Sequence, residues 1–107
     1  MPSVRSDKIY VGQSVKFVLV PRDNNGLIDD LDQATSLQVR FRLPDGTNVT
    51  RTGYFFLDNL NRKSIAYDSN PLTDLLVEGN YEIQGEAYFG SSFYPTDSER
   101  FLVHPRI

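Results

Sequence analysis

Residues 36–43 read SLQVRFRL, and this alternation constrains the chain more than any other feature. Leu37, Val39, Phe41 and Leu43 fall on one side; Gln38, Arg40 and Arg42 fall on the other. A period of two marks a strand with one buried and one wet face. The same period recurs. In 80–89, NYEIQGEAYF, Tyr81, Ile83, Gly85, Ala87 and Phe89 share a face, and Glu82, Gln84, Glu86 and Tyr88 share the other. Val15, Phe17 and Leu19 line up in 14–20, and Phe101 and Val103 near the end. Weaker strand signals lie at 8–11, 48–57 and 63–67. Between them sit turn residues: Asn24-Asn25-Gly26, Pro44-Asp45-Gly46-Thr47, Asp58-Asn59-Leu60-Asn61 and Glu78-Gly79-Asn80. Strands spaced roughly every 8–15 residues predict an all-β sandwich or barrel. A parallel sheet would need crossover helices, and the one helical stretch, Pro71 to Leu76, is a single turn at most.

With 107 residues the chain holds one domain, expected over 8–107 behind a short arm at 1–7. Its core must close without a staple, because there is no cysteine and no tryptophan; seven Phe and six Tyr supply the bulk. The missing cysteine also removes thiolate metal sites and a cysteine nucleophile. His104 is the single histidine, and no Gly-x-Ser-x-Gly elbow accompanies it. Asp23, Asp29, Asp30 and Asp32 cluster, but Asp23-Asn24-Asn25-Gly26 departs from a calcium loop: its glycine comes too early and no Glu follows at the required spacing. The expectation is a chain that is not an enzyme and holds no cofactor or metal. A net charge of −3 with dispersed Lys and Arg argues against nucleic acid. No apolar run suits a membrane span, and MPSVRSDKIYVGQ has no signal-like apolar stretch.

Charged and aromatic residues give the candidate contacts. Arg40 and Arg42 on one wet face and Glu82 and Glu86 on another predict neighbouring strands joined by cross-strand pairs. Between residues 64 and 99 stand seven acids and no Lys or Arg, which reads as a solubilising face or an acidic docking patch. Tyr54-Phe55-Phe56 breaks strict alternation, so a ring there is expected at the surface. Phe89 to Pro95 reads as a hairpin connection that presents Phe93 and Tyr94. Exposed rings suit a protein interface or a sugar platform. The candidate interaction residues are therefore Tyr54, Phe56, Phe93 and Tyr94.

The stretch 25–47, NGLIDDLDQATSLQVRFRLPDGT, combines Gly-x-x-x-Asp-Leu-x-x-Ala-Thr, an alternating strand and Pro-Asp-Gly-Thr. It resembles the immunoglobulin-like modules of tailed-phage virion proteins, the baseplate upper-protein family being nearest. Tyr67-Asp68, Glu78-Gly79-Asn80-Tyr81-Glu82-Ile83 and Tyr10-Val11-Gly12-Gln13 extend the resemblance over about residues 9–103. It implies an immunoglobulin-like antiparallel sandwich of about seven strands without the disulfide. Tyr81 would stand at a tyrosine corner. It also implies a non-catalytic virion component (tail, baseplate or capsid decoration) made in the bacterial cytoplasm. Such a component would contact other virion proteins in a symmetric multi-copy assembly. A carbohydrate- or receptor-binding module, recognising a surface glycan, is the alternative.

Overall fold

The structure is a computed structural model and describes residues 8–107. The arm expected over residues 1–7 lies outside them. The described chain forms eleven strand segments and one 3₁₀ turn: β1 (Ile9–Tyr10), β2 (Lys16–Leu19), β3 (Arg22–Asp23), β4 (Gly26–Leu27), the turn Leu31–Gln33, β5 (Ser36–Arg42), β6 (Asn48–Thr52), β7 (Tyr54–Leu57), β8 (Lys63–Asp68), β9 (Gly79–Phe89), β10 (Ser92–Pro95) and β11 (Glu99–His104).

Two sheets face each other. The larger runs β1-β11-β9-β5-β6, with β10 also on β9; the smaller runs β2-β8-β7. β10 and β11 act as one interrupted strand along the same side of β9. Thr96 stitches the interruption: its hydroxyl accepts from the Gly85 N–H at 2.9 Å, and its N–H donates to the Gly85 carbonyl at 2.9 Å. This strand order is that of an immunoglobulin-like sandwich with a widened front sheet. Eight strands form the frame, and β3–β4 is a small hairpin inserted between β2 and β5. Pairing is antiparallel except that β1 runs parallel to β11.

The weak strand signal at 48–57 is two strands in different sheets. β6 pairs with β5, β7 pairs with β8, and Gly53 carries the chain across. A Cβ at Gly53 would lie 2.7 Å from Ile65 Cγ2 and 3.2 Å from the Ala66 carbonyl, so only glycine lets the crossing chain approach this closely. Residues 71–76 turn without a helix; the one helical turn instead stands at Leu31–Gln33 and buries Leu31.

Alternation filled the core as the period requires. Leu19, Val39, Phe41, Ile65, Ile83 and Ala87 are buried together, and Leu75, Tyr81 and Val103 form a second cluster at one end. A chain of rings takes the place of the disulfide and tryptophan of antibody domains. Tyr81 stacks on Phe101 (5.3 Å), Phe101 meets Phe17 (5.1 Å), Phe17 meets Phe41 (5.5 Å) and Phe41 meets Tyr67 (5.7 Å). The chain passes from one sheet to the other and back, and such ring pairs add about 0.5–1.5 kcal/mol each beyond area burial. The Tyr81 hydroxyl donates to the Val77 carbonyl at 2.7 Å, four residues upstream, which is the geometry of a tyrosine corner.

Candidate interaction surfaces

The outer face of the small sheet gathers Tyr54 and Phe56 of β7, Lys16 of β2 and Asp68 of β8. The Lys16 ammonium donates to the Tyr54 hydroxyl at 3.0 Å, and that hydroxyl donates to Asp68 Oδ2 at 2.7 Å. Lys16 also pairs with Asp68 at 3.7 Å and lies 4.5 Å from the Phe56 ring centre. The Tyr54 hydrogen bond and Asp68 together hold the ammonium above its ordinary value despite partial desolvation. A cation over an aromatic face is attracted by the ring quadrupole. This contact half-buries Phe56 and leaves Tyr54 exposed.

Among the described residues β7 is also a free sheet edge. The Asp58 N–H donates to the Arg62 carbonyl, which fixes the alternation of the β7–β8 ladder. Tyr54 and Phe56 therefore turn their backbone groups toward β8, and Phe55 and Leu57 turn theirs outward. The side chains of Phe55 and Leu57 are 37% and 48% exposed. Tyr-Phe-Phe-Leu carries no charge and no proline. The neighbouring free edge, β6, differs: Arg51 projects inward and ion-pairs with Asp74 at 3.0 Å. An inward charge is one of the devices that guard an edge.

On the outer face of the large sheet, β5 and β9 are adjacent and the expected charges meet. Arg40 reaches Glu86 at 3.4 Å, Arg42 reaches Glu82 at 3.6 Å, and Arg100 approaches Glu82 at 4.0 Å. Arg42 stands directly opposite Glu82, whereas Arg40 reaches Glu86 diagonally past Gln84. Tyr88 donates to Glu86 at 2.9 Å, and Phe93 stacks on Tyr88 at 5.4 Å. Of the seven acids between residues 64 and 99, four (Asp68, Asp74, Glu82 and Glu86) pair with bases from outside the segment. The stretch therefore does not form a bare acidic patch.

Phe93 and Tyr94 part company. The connection is a tight hairpin, so both rings lie on β10, paired Phe93↔Tyr88 and Tyr94↔Ala87. Alternation sends Phe93 out, 49% exposed. It sends Tyr94 inward against Phe89 (5.8 Å) and the core. Tyr94 is a packing residue, which corrects its expected place on a loop tip.

Asp74 is the feature the sequence does not announce. It lies in the turn after β8, buried, and accepts from Arg51 Nε at 3.0 Å, from the Asn70 N–H at 2.8 Å and from the Tyr67 hydroxyl. Burial alone would push its carboxyl up; the hydrogen bonds from Asn70, Tyr67 and Arg51 outweigh that and hold it below the ordinary value. Burial, and then Asp74, push the Tyr67 hydroxyl up to about 12. Beside this network Phe41, Leu43, Val49, Leu75, Leu76 and Tyr81 line an apolar cavity of about 250 Å³. The local signal was Leu72, Leu75, Leu76 and Val77 in an otherwise polar connection; Leu72, Leu76 and Val77 are exposed.

The His104 ring rests against Tyr10, 5.8 Å between centres. The Asp23 carboxylate accepts from the Asn25 N–H at 2.7 Å and closes the β3–β4 turn. Among the described residues, no three of His, Cys, Asp or Glu are placed to hold a metal. No helix of the described residues is long and apolar enough to cross a membrane. No protein-family model matches the chain, and no curated protein matches it in sequence.

Proposed function

We propose that this chain is a non-catalytic structural module that acts through protein–protein contacts, and specifically a virion component of a tailed bacteriophage. The observation that carries the contact reading is β7: an uncharged, aromatic strand edge with exposed side chains on a fold whose adjacent edge is guarded. The virion reading rests on the sequence resemblance, with the immunoglobulin-like strand order in support. The tail, baseplate and capsid surface are all places where such a module would meet neighbouring proteins. Quantitative mass spectrometry of purified particles tests it. The chain is expected at a copy number that matches a symmetry of the particle; its absence from the particles sinks the reading.

Glycan binding is the second reading, favoured by Phe93, whose exposed ring stacks on Tyr88, the ring whose hydroxyl donates to Glu86. Titrating the isolated domain against a glycan array, with Phe93→Ala as the comparison, tests it. Signal that survives Phe93→Ala rules this site out.

A further inference from the structure

We propose that β7 pairs with β7 of a second copy of this chain, antiparallel and centred on Phe56, to join two small sheets into one six-stranded sheet. The inference deepens the protein-contact reading and rests on it. The free backbone groups belong to Phe55 and Leu57, one residue to either side of Phe56. A two-fold axis through Phe56 places Phe55 opposite Leu57 of the second copy and Leu57 opposite its Phe55. All four outward N–H and C=O pairs then find partners in one register. Centring on Phe55 would instead oppose Leu57 to Gly53, whose N–H is already given to the Leu37 carbonyl at 2.9 Å.

Side chains agree with that register. On the inner side Phe55 meets Leu57, both partly exposed in the single chain. On the outer side Phe56 meets Phe56 in the close, non-hydrogen-bonded spacing. Charge complementarity favours a second copy over a charged strand. The four residues are neutral, the next pair sets Tyr54 against Asp58, and each Lys16 is held by its own Asp68. No like charges oppose each other in the ladder. The contact is short beside the ~1,600 Å² of a standard interface, so free copies should associate weakly.

Because the chain has no cysteine, one introduced thiol reports the geometry without background. Phe56→Cys would bring two Cα atoms to about 4.5 Å, inside the roughly 4.4–6.8 Å span of a disulfide. Ser91→Cys at the β9–β10 hairpin tip, outside β7, and Tyr54→Cys, off the axis, serve as controls. Under mild oxidation the Phe56→Cys chain is expected to form covalent dimer at least about tenfold faster than either control. Equal rates in folded proteins, checked by circular dichroism, overturn the proposal. Should Phe56→Cys fail to fold, sedimentation equilibrium of the unaltered chain and of Leu57→Lys decides. Weak self-association that Leu57→Lys removes supports the pairing; a monomer at every concentration, or association indifferent to Leu57→Lys, overturns it. Absence from virions would remove the virion reading and leave this dimer standing, whereas monomers throughout would remove the dimer alone.

Discussion

Asp74→Ala tests the network that closes one end of the sandwich. The carboxylate is 8% exposed and accepts from Arg51 Nε at 3.0 Å, from the Asn70 N–H at 2.8 Å and from the Tyr67 hydroxyl. Alanine removes the acceptor of all three hydrogen bonds at once. A hydrogen bond to a charged group contributes about 1.5–3 kcal/mol, and stranding one partner of a fully buried ion pair costs about 3–5 kcal/mol. Arg51 keeps a third of its side chain in water and can turn outward, so its share falls at the low end. The three bonds form one unit and do not add. The sum is about 3 kcal/mol out of the ~5–15 kcal/mol that holds a domain of this size, or a fall of about 10–15 °C in Tm. Urea unfolding followed by circular dichroism measures it. The pH dependence supplies a second readout. The folded-state value of Asp74 lies below its ordinary 3.8. Its stabilisation is therefore complete above pH 3.8 and is lost as pH falls through the lower folded value. Asp74→Ala should lack that component of acid unfolding. A loss under about 1 kcal/mol, or an acid limb unchanged by the substitution, refutes the reasoning.

Three further outcomes follow from the same geometry. Tyr94→Ala should cost about 2 kcal/mol in chemical denaturation, because the ring packs on Phe89 and the core, while Phe93→Ala should cost under about 0.5 kcal/mol. Gly53→Ala forces a methyl to 2.7 Å from Ile65 Cγ2 and should cost about 1–3 kcal/mol; a neutral effect in thermal melts would mean that the crossing between sheets is looser than described. Tyr67 has its folded-state value pushed up to about 12 from an ordinary 10, so its contribution is present below pH 10 and lost between pH 10 and 12. Burial also raises Tyr81, and the hydrogen bond to Glu86 raises Tyr88, so tyrosinate absorbance should show a late-titrating group of tyrosines until the chain unfolds, and Tyr67→Phe should remove one tyrosine from it.

The strands that read clearly in the sequence are those whose cause is local. Residues 36–43 and 80–89 alternate because one face of each is buried by the opposite sheet, and that alternation also placed Arg40, Arg42, Glu82 and Glu86 on one outer face, although Glu86 is buried there among its partners. Pro44-Asp45-Gly46 turned as its chemistry requires, with Asp45 accepting from the Thr47 N–H at 2.9 Å and Gly46 at φ +91°. What stayed hidden depends on distant partners. The division of 48–57 at Gly53 follows from which sheet each half joins, and nothing within NVTRTGYFFL states it. The inward turn of Tyr94 follows from its place on β10, paired with Ala87 and outside the connection. Asp74 meets Arg51 from 23 residues away across the end of the sandwich, and no spacing encodes that meeting. Local signals fixed the strands; loop length and sheet choice, which are non-local, fixed the surfaces.

The two free edges on one flank show why that distinction bears on function. β6 and β7 are consecutive, separated by a single glycine, and among the described residues each ends its sheet. An edge left neutral and aromatic risks indiscriminate pairing, so a monomeric sandwich gains from guarding both. β6 is guarded by a charge turned inward, and holding that charge there takes a buried carboxylate, a tyrosine hydroxyl and a dedicated turn. β7 has no comparable device, although one lysine at Leu57 would provide it. Lys16, the nearest cation, is instead drawn over the outer face by Phe56, Tyr54 and Asp68, leaving the backbone edge clear. On this flank, guarding one edge while the adjacent one stays bare leaves β7 as the strand open to the pairing proposed above.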